Sequence, residues 1–95
     1  MTTQELRELD AWIAEHVMGA IVPHPFFKPT EDPRGARDVL KKCAESVNVT
    51  VSAYGNYWIV GNNKLGDLVK TDSLELSICL FAKQLFSQTT KKEKT

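Results

Sequence analysis

The sequence has no excess of charge of either sign and no long apolar run. Lys and Arg together number 12, as do Asp and Glu, so no global electric field attracts the chain to nucleic acid or to an anionic membrane. Its apolar runs are all shorter than the roughly 18 residues that a membrane-spanning helix requires. The opening residues, MTTQELRELD, lack the basic and apolar regions of a signal peptide. We therefore expect neither a membrane partner nor a nucleic-acid partner.

Sequence motifs for catalysis and metal binding are also missing. The two cysteines, Cys43 and Cys79, occupy apolar helical positions, which predicts reduced core residues of a cytosolic protein. With His16 and His24 they make no CxxC or HxxxH pair. Nothing in the local sequence brings His16 to either thiol as a catalytic base, and there is no Walker loop or GxGxxG. We expect a protein that is not an enzyme and holds no metal or other cofactor.

Glycine and proline are few, and three of the four prolines fall in residues 20–31. The remaining composition is that of a globular protein, with 42% apolar and 25% charged residues. A chain of 95 residues can bury one core. The sequence therefore predicts a single domain over residues 1–88, followed by a disordered tail at residues 89–95.

Three segments repeat apolar residues with the period of a helix. The first is predicted for residues 3–18, where Thr2 and Glu5 fit a capping box. The second is predicted to start behind Asp32, which is followed by a proline suited to the first helical position. The third is predicted for residues 72–88, with Asp72 as its N-cap.

A β-hairpin is predicted between the second and third helices. In residues 47–53, Val47, Val49, Val51 and Ala53 alternate with polar side chains, which is the signature of a half-buried strand. Gly55-Asn56 supplies the turn, and residues 67–70 could add a short third strand. The predicted fold is α+β, with a small antiparallel sheet of two or three strands covered by three helices in the order α-α-β-β-(β)-α.

The start of the second helix is the first candidate binding surface. Arg34, Arg37 and Lys41 lie on its polar side. Unpaired helix N–H groups together with guanidinium groups can hold a phosphate. The alternative is an ordinary solvated helix face.

The aromatic hairpin is the second candidate surface. It combines Tyr54, Tyr57 and Trp58 with Asn62 and Lys64 in the following turn. Such side chains could stack on a base or dock on a protein. Strand alternation places Tyr57 and Trp58 on opposite faces of the sheet, so packing of one of them in the core is the alternative.

The third helix predicts self-association. Leu76 and Leu80 lie roughly opposite its main apolar face, and packing them against the same helix of another copy would form a two-fold homodimer. The alternative is that Ile21, Phe26 or Phe27 of the proline-rich loop covers them within one chain.

Four segments together resemble the phage ABA-sandwich family. They are LDAWIAEHVMG (Leu9 to Gly19), PTEDPRGARDVLKKCAE (Pro29 to Glu45), YWIV (Tyr57 to Val60) and LELSICLFAKQLF (Leu74 to Phe86). The family comprises small proteins of phages and prophages and is named for an α/β/α layered fold. The resemblance implies such a sandwich, a phage genome and expression in the cytoplasm of a bacterial host. It implies no catalytic residues.

Two hypotheses of function follow. The first is a non-enzymatic phage accessory protein that binds and inhibits a host protein, such as a bacterial defence component. The second is a sponge that sequesters a nucleotide-type immune signal, such as a cyclic nucleotide or an ADP-ribose derivative. A cavity joining Arg34 or Arg37 to an aromatic side chain would favour the sponge. A flat, exposed aromatic patch would favour the protein partner.

Overall fold

Three helices and three strands follow one another in the order α-α-β-β-β-α. The computed structural model describes the backbone of residues 2–19, 27–62 and 67–94, and their side chains except at 67 and 88–94. Four residues named above lie outside these ranges, namely Ile21, His24, Phe26 and Lys64. The predicted element order is confirmed, and the optional third strand is present.

Helix α1 spans Thr3–His16 and starts with the predicted capping box. Thr2 Oγ1 accepts a hydrogen bond from the Glu5 N–H at 3.2 Å, and Glu5 Oε1 accepts one from the Thr2 N–H at 3.0 Å. These bonds pair two N–H groups that the helix itself leaves free. Its buried residues are Leu9, Asp10, Ile13 and Ala14.

Helix α2 spans Pro33–Ser46, and its start is also as predicted. The Asp32 side chain accepts a hydrogen bond from the Arg34 N–H at 3.0 Å, and Pro33 occupies the first helical position. Gly35 lies against the preceding loop, since a Cβ added there would be 3.2 Å from Pro29 Cα. The helix therefore needs a small residue where it meets that loop.

Strands β1 (Thr50–Tyr54), β2 (Tyr57–Asn62) and β3 (Asp67–Thr71) form one antiparallel sheet in the order β1-β2-β3. Gly55 has φ +59° in the two-residue turn between β1 and β2. A positive φ at the first turn position is typical of a type II′ hairpin, which favours glycine there.

Helix α3 spans Leu74–Lys94. Its cap is Ser73, whose Oγ accepts a hydrogen bond from the Leu76 N–H at 3.3 Å, so the prediction of Asp72 as the cap is wrong. The helix also continues past its predicted end at Gln88 into the expected tail, where the sequence has neither glycine nor proline to stop it. In the described part of the chain, no helix has the length and hydropathy needed to cross a membrane.

Helix α3 is the central element, in contact with α1, α2, β2 and β3. All three helices contribute to one hydrophobic core, in which Phe81 is fully buried. Val60 and Val69 join this core from the sheet and are neighbours in the β2–β3 register. The predicted α+β class, an antiparallel sheet packed with three helices, is confirmed.

The described helices cover the sheet on one face only. Val60 is fully buried and Val69 is 6% exposed on the covered face, whereas Leu68 on the other face is 53% exposed. The sheet is therefore an outer layer of the described structure. This layering differs from the α/β/α order that the family resemblance implies.

The edge strand β1 extends beyond this cover. Val51 shares the covered face with Val60 but is 39% exposed, and Ala53 is exposed as well. Helix α3 packs on β2 and β3, which leaves β1 uncovered. Of the four alternating residues, Val47 and Val49 pack against the core, whereas the expected burial fails at Val51 and Ala53.

Candidate functional site

The uncovered face of the sheet is the candidate functional site. By strand register it carries Tyr54, Tyr57, Ile59, Leu68 and Lys70, and we call these five residues the open sheet face. Tyr54 is 50% exposed and Leu68 is 53% exposed. The side chains point this way because they alternate with the buried valines along each strand.

A tyrosine pair forms one end of the open sheet face. Tyr54 and Tyr57 are direct cross-strand neighbours beside the turn, and their rings stack with centroids 5.4 Å apart and planes at 15°. Lys70 Nζ lies 4.2 Å from the Tyr57 ring centroid, a cation–π contact. The result is a stacked pair of aromatic rings with a positive charge over the Tyr57 ring.

A shallow hollow of about 160 Å³ lies beside the tyrosine pair. Its lining residues are Thr50, Ser52, Tyr54, Ile59 and Leu68. Cavities that enclose small molecules usually measure about 300–1,000 Å³. The hollow therefore fits a single side chain of a partner better than it fits a nucleotide.

The start of α2 is less suited to an anion than its sequence predicts. Arg34, Arg37 and Lys41 are all exposed, as expected for a solvated face. The Asp32 carboxylate, however, already accepts the hydrogen bond of the Arg34 N–H. It places a negative charge at the helix terminus where a phosphate would bind.

A groove of about 230 Å³ runs between α2 and α3. Its lining residues are Pro33, Ala36, Arg37, Leu40, Leu74, Glu75 and Ile78. Within the described ranges this lining contains no aromatic ring, and the Glu75 carboxylate shares the groove with Arg37. The structure thus separates Arg37 from the tyrosines, which lie on the open sheet face.

Trp58 and Asn62, the other predicted hairpin residues that the structure describes, are separated from the tyrosine pair. Trp58 lies at intermediate exposure on the covered face, where Thr71 is its strand neighbour. Asn62 is 5% exposed, and its Nδ2 donates a hydrogen bond to the Asn48 carbonyl at 2.6 Å. The side chain of Asn62, a candidate binding residue by sequence, is therefore used inside the fold.

Sequence reasoning missed Ile59, Leu68 and Lys70. Strand alternation in β2 already places Ile59 on the side of Tyr57. The other two residues could be added only once β3 was known to exist and its register with β2 was fixed.

Leu76 and Leu80 are half-buried and pack against the hydrophobic core. Leu80 also lines a groove between α1 and α3 together with Leu9 and Trp12. At Leu80, helix α1 of the same chain therefore borders the surface that the self-association hypothesis uses. Phe27, from the proline-rich loop, also packs against the core.

The two thiols are buried in the core. Burial raises the pKa of Cys43 to about 12 and also raises the pKa of Cys79, so both stay protonated. His16 is exposed, with Nδ1 3.1 Å from the Trp12 carbonyl and its ring stacked on Trp12. Within the described ranges, no three His, Cys, Asp or Glu residues are grouped to hold a metal ion.

Exposed apolar surface is concentrated on the sheet. Among the described residues, the large hydrophobic side chains that are exposed are Val51, Tyr54 and Leu68, and all three belong to edge strands.

Comparison with protein-family models, curated proteins and solved structures finds no match.

Proposed function

We propose that this protein is a non-enzymatic binding protein that engages a protein partner through the open sheet face. The observation that carries the proposal is the stacked pair of the exposed Tyr54 and the half-buried Tyr57, beside the exposed Leu68 on an uncovered sheet face. Tyrosine is enriched among the residues that dominate protein–protein affinity, because it combines a large apolar ring with a polar end.

The chemistry of the open sheet face defines the partner. An apolar side chain of the partner fills the hollow, whose lining combines the apolar side chains of Ile59 and Leu68 with the hydroxyls of Thr50 and Ser52. An acidic group of the partner pairs with Lys70, whose ammonium is exposed beside Tyr57.

In its finer form, the proposal is a phage accessory protein that acts in the cytoplasm of an infected bacterium. It binds and inhibits a host protein, such as a defence component. What supports this is the resemblance of residues 9–19, 29–45, 57–60 and 74–86 to the phage ABA-sandwich family, together with a surface suited to a protein.

The nucleotide sponge has less support. It needs Arg34 or Arg37 beside an aromatic ring, and the groove at Arg37 has no such ring among its described lining residues. It also needs a free helix terminus, whereas the Asp32 carboxylate occupies that of α2. Both features disfavour a phosphate in the position that the sequence predicts.

Quantitative affinity capture from bacterial lysate tests the proposal, with mass spectrometry of both proteins and small molecules. The baits are wild type, a Tyr54→Ala, Leu68→Asp variant and a control Arg34→Ala, Arg37→Ala variant, each checked for folding by circular dichroism. We expect one protein to be retained by wild type and by the control, and lost with the face variant. Binding of that purified protein should weaken at least roughly thirtyfold, the effect of losing one interface hot spot of about 2 kcal/mol.

Two results contradict the proposal. One is a protein partner that binds the Tyr54→Ala, Leu68→Asp variant as tightly as wild type, since the open sheet face would then not be the contact. The other is a nucleotide captured by wild type and lost only with the Arg34→Ala, Arg37→Ala variant, which establishes the sponge instead.

A further inference from the structure

The two edges of the sheet differ in their protection against pairing with another strand. Natural proteins block edge strands with charged side chains, lysine above all, or with proline. Strand β3, DLVKT, carries Asp67 and Lys70, whereas β1, TVSAY, carries neither charge nor proline. The edge of β1 is therefore left open to pairing.

The backbone of β1 has groups available for such pairing. In a hairpin with a two-residue turn, the residues flanking the turn, Tyr54 and Tyr57, exchange hydrogen bonds, and every second pair after them does the same. Val51 and Ala53 belong to the intervening pairs, so their N–H and C=O groups point away from β2. Both side chains are exposed as well.

We propose that β1 pairs antiparallel with β1 of a second copy, which joins the two sheets into one of six strands. In the register centred on Ser52, all five residues of each strand are paired across a two-fold axis. Val51 then lies opposite Ala53 of the second copy, a large side chain against a small one on both sides of the axis. An uncharged strand brings no like charges together in this arrangement.

Pairing through β1 also extends the open sheet face. Thr50, which lines the hollow, comes to lie opposite Tyr54 of the second copy, so each copy adds an aromatic wall to the hollow of the other. The inference does not depend on the proposed function. It moves the predicted homodimer interface from Leu76 and Leu80, which pack against their own core, to the edge of the sheet.

Disulfide trapping tests the register. On the two-fold axis, Ser52 faces itself as a pair without mutual backbone hydrogen bonds, with Cα atoms about 4.5 Å apart, which a disulfide can bridge. Oxidised Ser52→Cys should migrate as a covalent dimer on a non-reducing gel, while the native thiols stay buried. Thr50→Cys is the control, because its two copies lie roughly 13 Å apart in this register. Equal cross-linking of both variants, or of neither, overturns the proposal.

Sedimentation over a concentration series tests the association itself. A pair of short strands is a small interface, so the mass should rise with concentration from monomer towards dimer. Ala53→Pro should stay monomeric, because it removes an outward-pointing N–H and no bond to β2. Leu68→Lys, on the opposite edge, should dimerise like wild type.

Val51→Lys provides a second edge variant in case Ala53→Pro does not fold, and it should likewise stay monomeric. A wild type of monomeric mass throughout overturns the proposal, as does a folded edge variant that remains dimeric.

Discussion

The Thr30 N–H donates a hydrogen bond at 3.0 Å to Oδ1 of Asp10, a carboxylate that is only 4% exposed. Oδ2 of the same carboxylate accepts a hydrogen bond from Arg7 at 2.8 Å, and Arg7 also pairs with Glu31 at 2.7 Å. One buried carboxylate thus joins α1 to the loop that precedes α2. Without it, the buried Thr30 N–H would lose its partner.

Asp10→Ala should therefore lower the free energy of unfolding by about 2–4 kcal/mol, since it breaks a buried pair and leaves an N–H unsatisfied. Asp10→Asn should lose less, because an amide oxygen can still accept from Thr30. Urea denaturation measures both, with the exposed Glu15→Ala of the same helix as the control. A loss below about 1 kcal/mol for Asp10→Ala would show that the bond to Thr30 is not important for stability.

Replacing glycine by alanine inside a helix usually stabilises a protein by about 1 kcal/mol. Gly35→Ala should instead destabilise this protein by about 1–2 kcal/mol. The added Cβ would lie 3.2 Å from Pro29 Cα, and Pro29 is fully buried, so it has little room to move. Thermal unfolding measures the effect, with Lys42→Ala on the exposed side of α2 as the control. A rise in melting temperature for Gly35→Ala contradicts this packing.

Phe81→Ala should cost about 3–5 kcal/mol, because it opens a cavity at a fully buried site in the core. Leu68→Ala is the matched control on the open sheet face, where the side chain is 53% exposed, and should change stability by less than about 0.5 kcal/mol. Chemical denaturation of the two variants distinguishes core from surface. Similar losses for both would mean that the open sheet face is covered.

The buried thiols predict a loss of stability in alkali. The ordinary thiol pKa is 9.0, and burial raises that of Cys43 to about 12. Between these values the unfolded chain releases the Cys43 proton while the folded chain retains it, so stability is fully present below about pH 9 and falls as the pH rises. Burial raises the pKa of Cys79 as well, so this thiol adds to the loss of stability in alkali.

Stability against pH, measured by urea denaturation, checks this, with the Cys43→Ala, Cys79→Ala double variant as the reference. Above pH 9.0, the ordinary thiol pKa, the free energy of unfolding of the double variant should fall less steeply with pH than that of wild type. Identical slopes would assign the alkaline loss to other groups. Thiol labelling of the folded wild type at neutral pH should also be slow, since both cysteines are buried.

Local interactions were readable from the sequence. The capping box of Thr2 and Glu5, the Asp32 cap and the Gly55-Asn56 turn each involve residues at most three positions apart. The element order followed from such signals, and so did the choice of Tyr54 and Tyr57 as candidate binding residues of the hairpin. That the two rings stack on the open sheet face was not predicted. Sequence alone does not locate the start of the third helix, because Asp72 and Ser73 are both residue types that favour the N-cap position.

Tertiary structure fixes where the third helix begins. Thr71 Oγ1 accepts a hydrogen bond from the Ser73 N–H at 3.0 Å and lies 2.6 Å from Ser77 Oγ, which joins β3 to the start of α3.

Tertiary structure also decided which surfaces are covered. Asp10 reads as polar surface in its helix, yet it is buried by a loop 20 residues away. Val51 and Val60 have the same pattern within their strands, but only Val60 lies beneath α3. Strand alternation assigns side chains to two faces, and only the packing of α3 on β2 and β3 determines which face stays open.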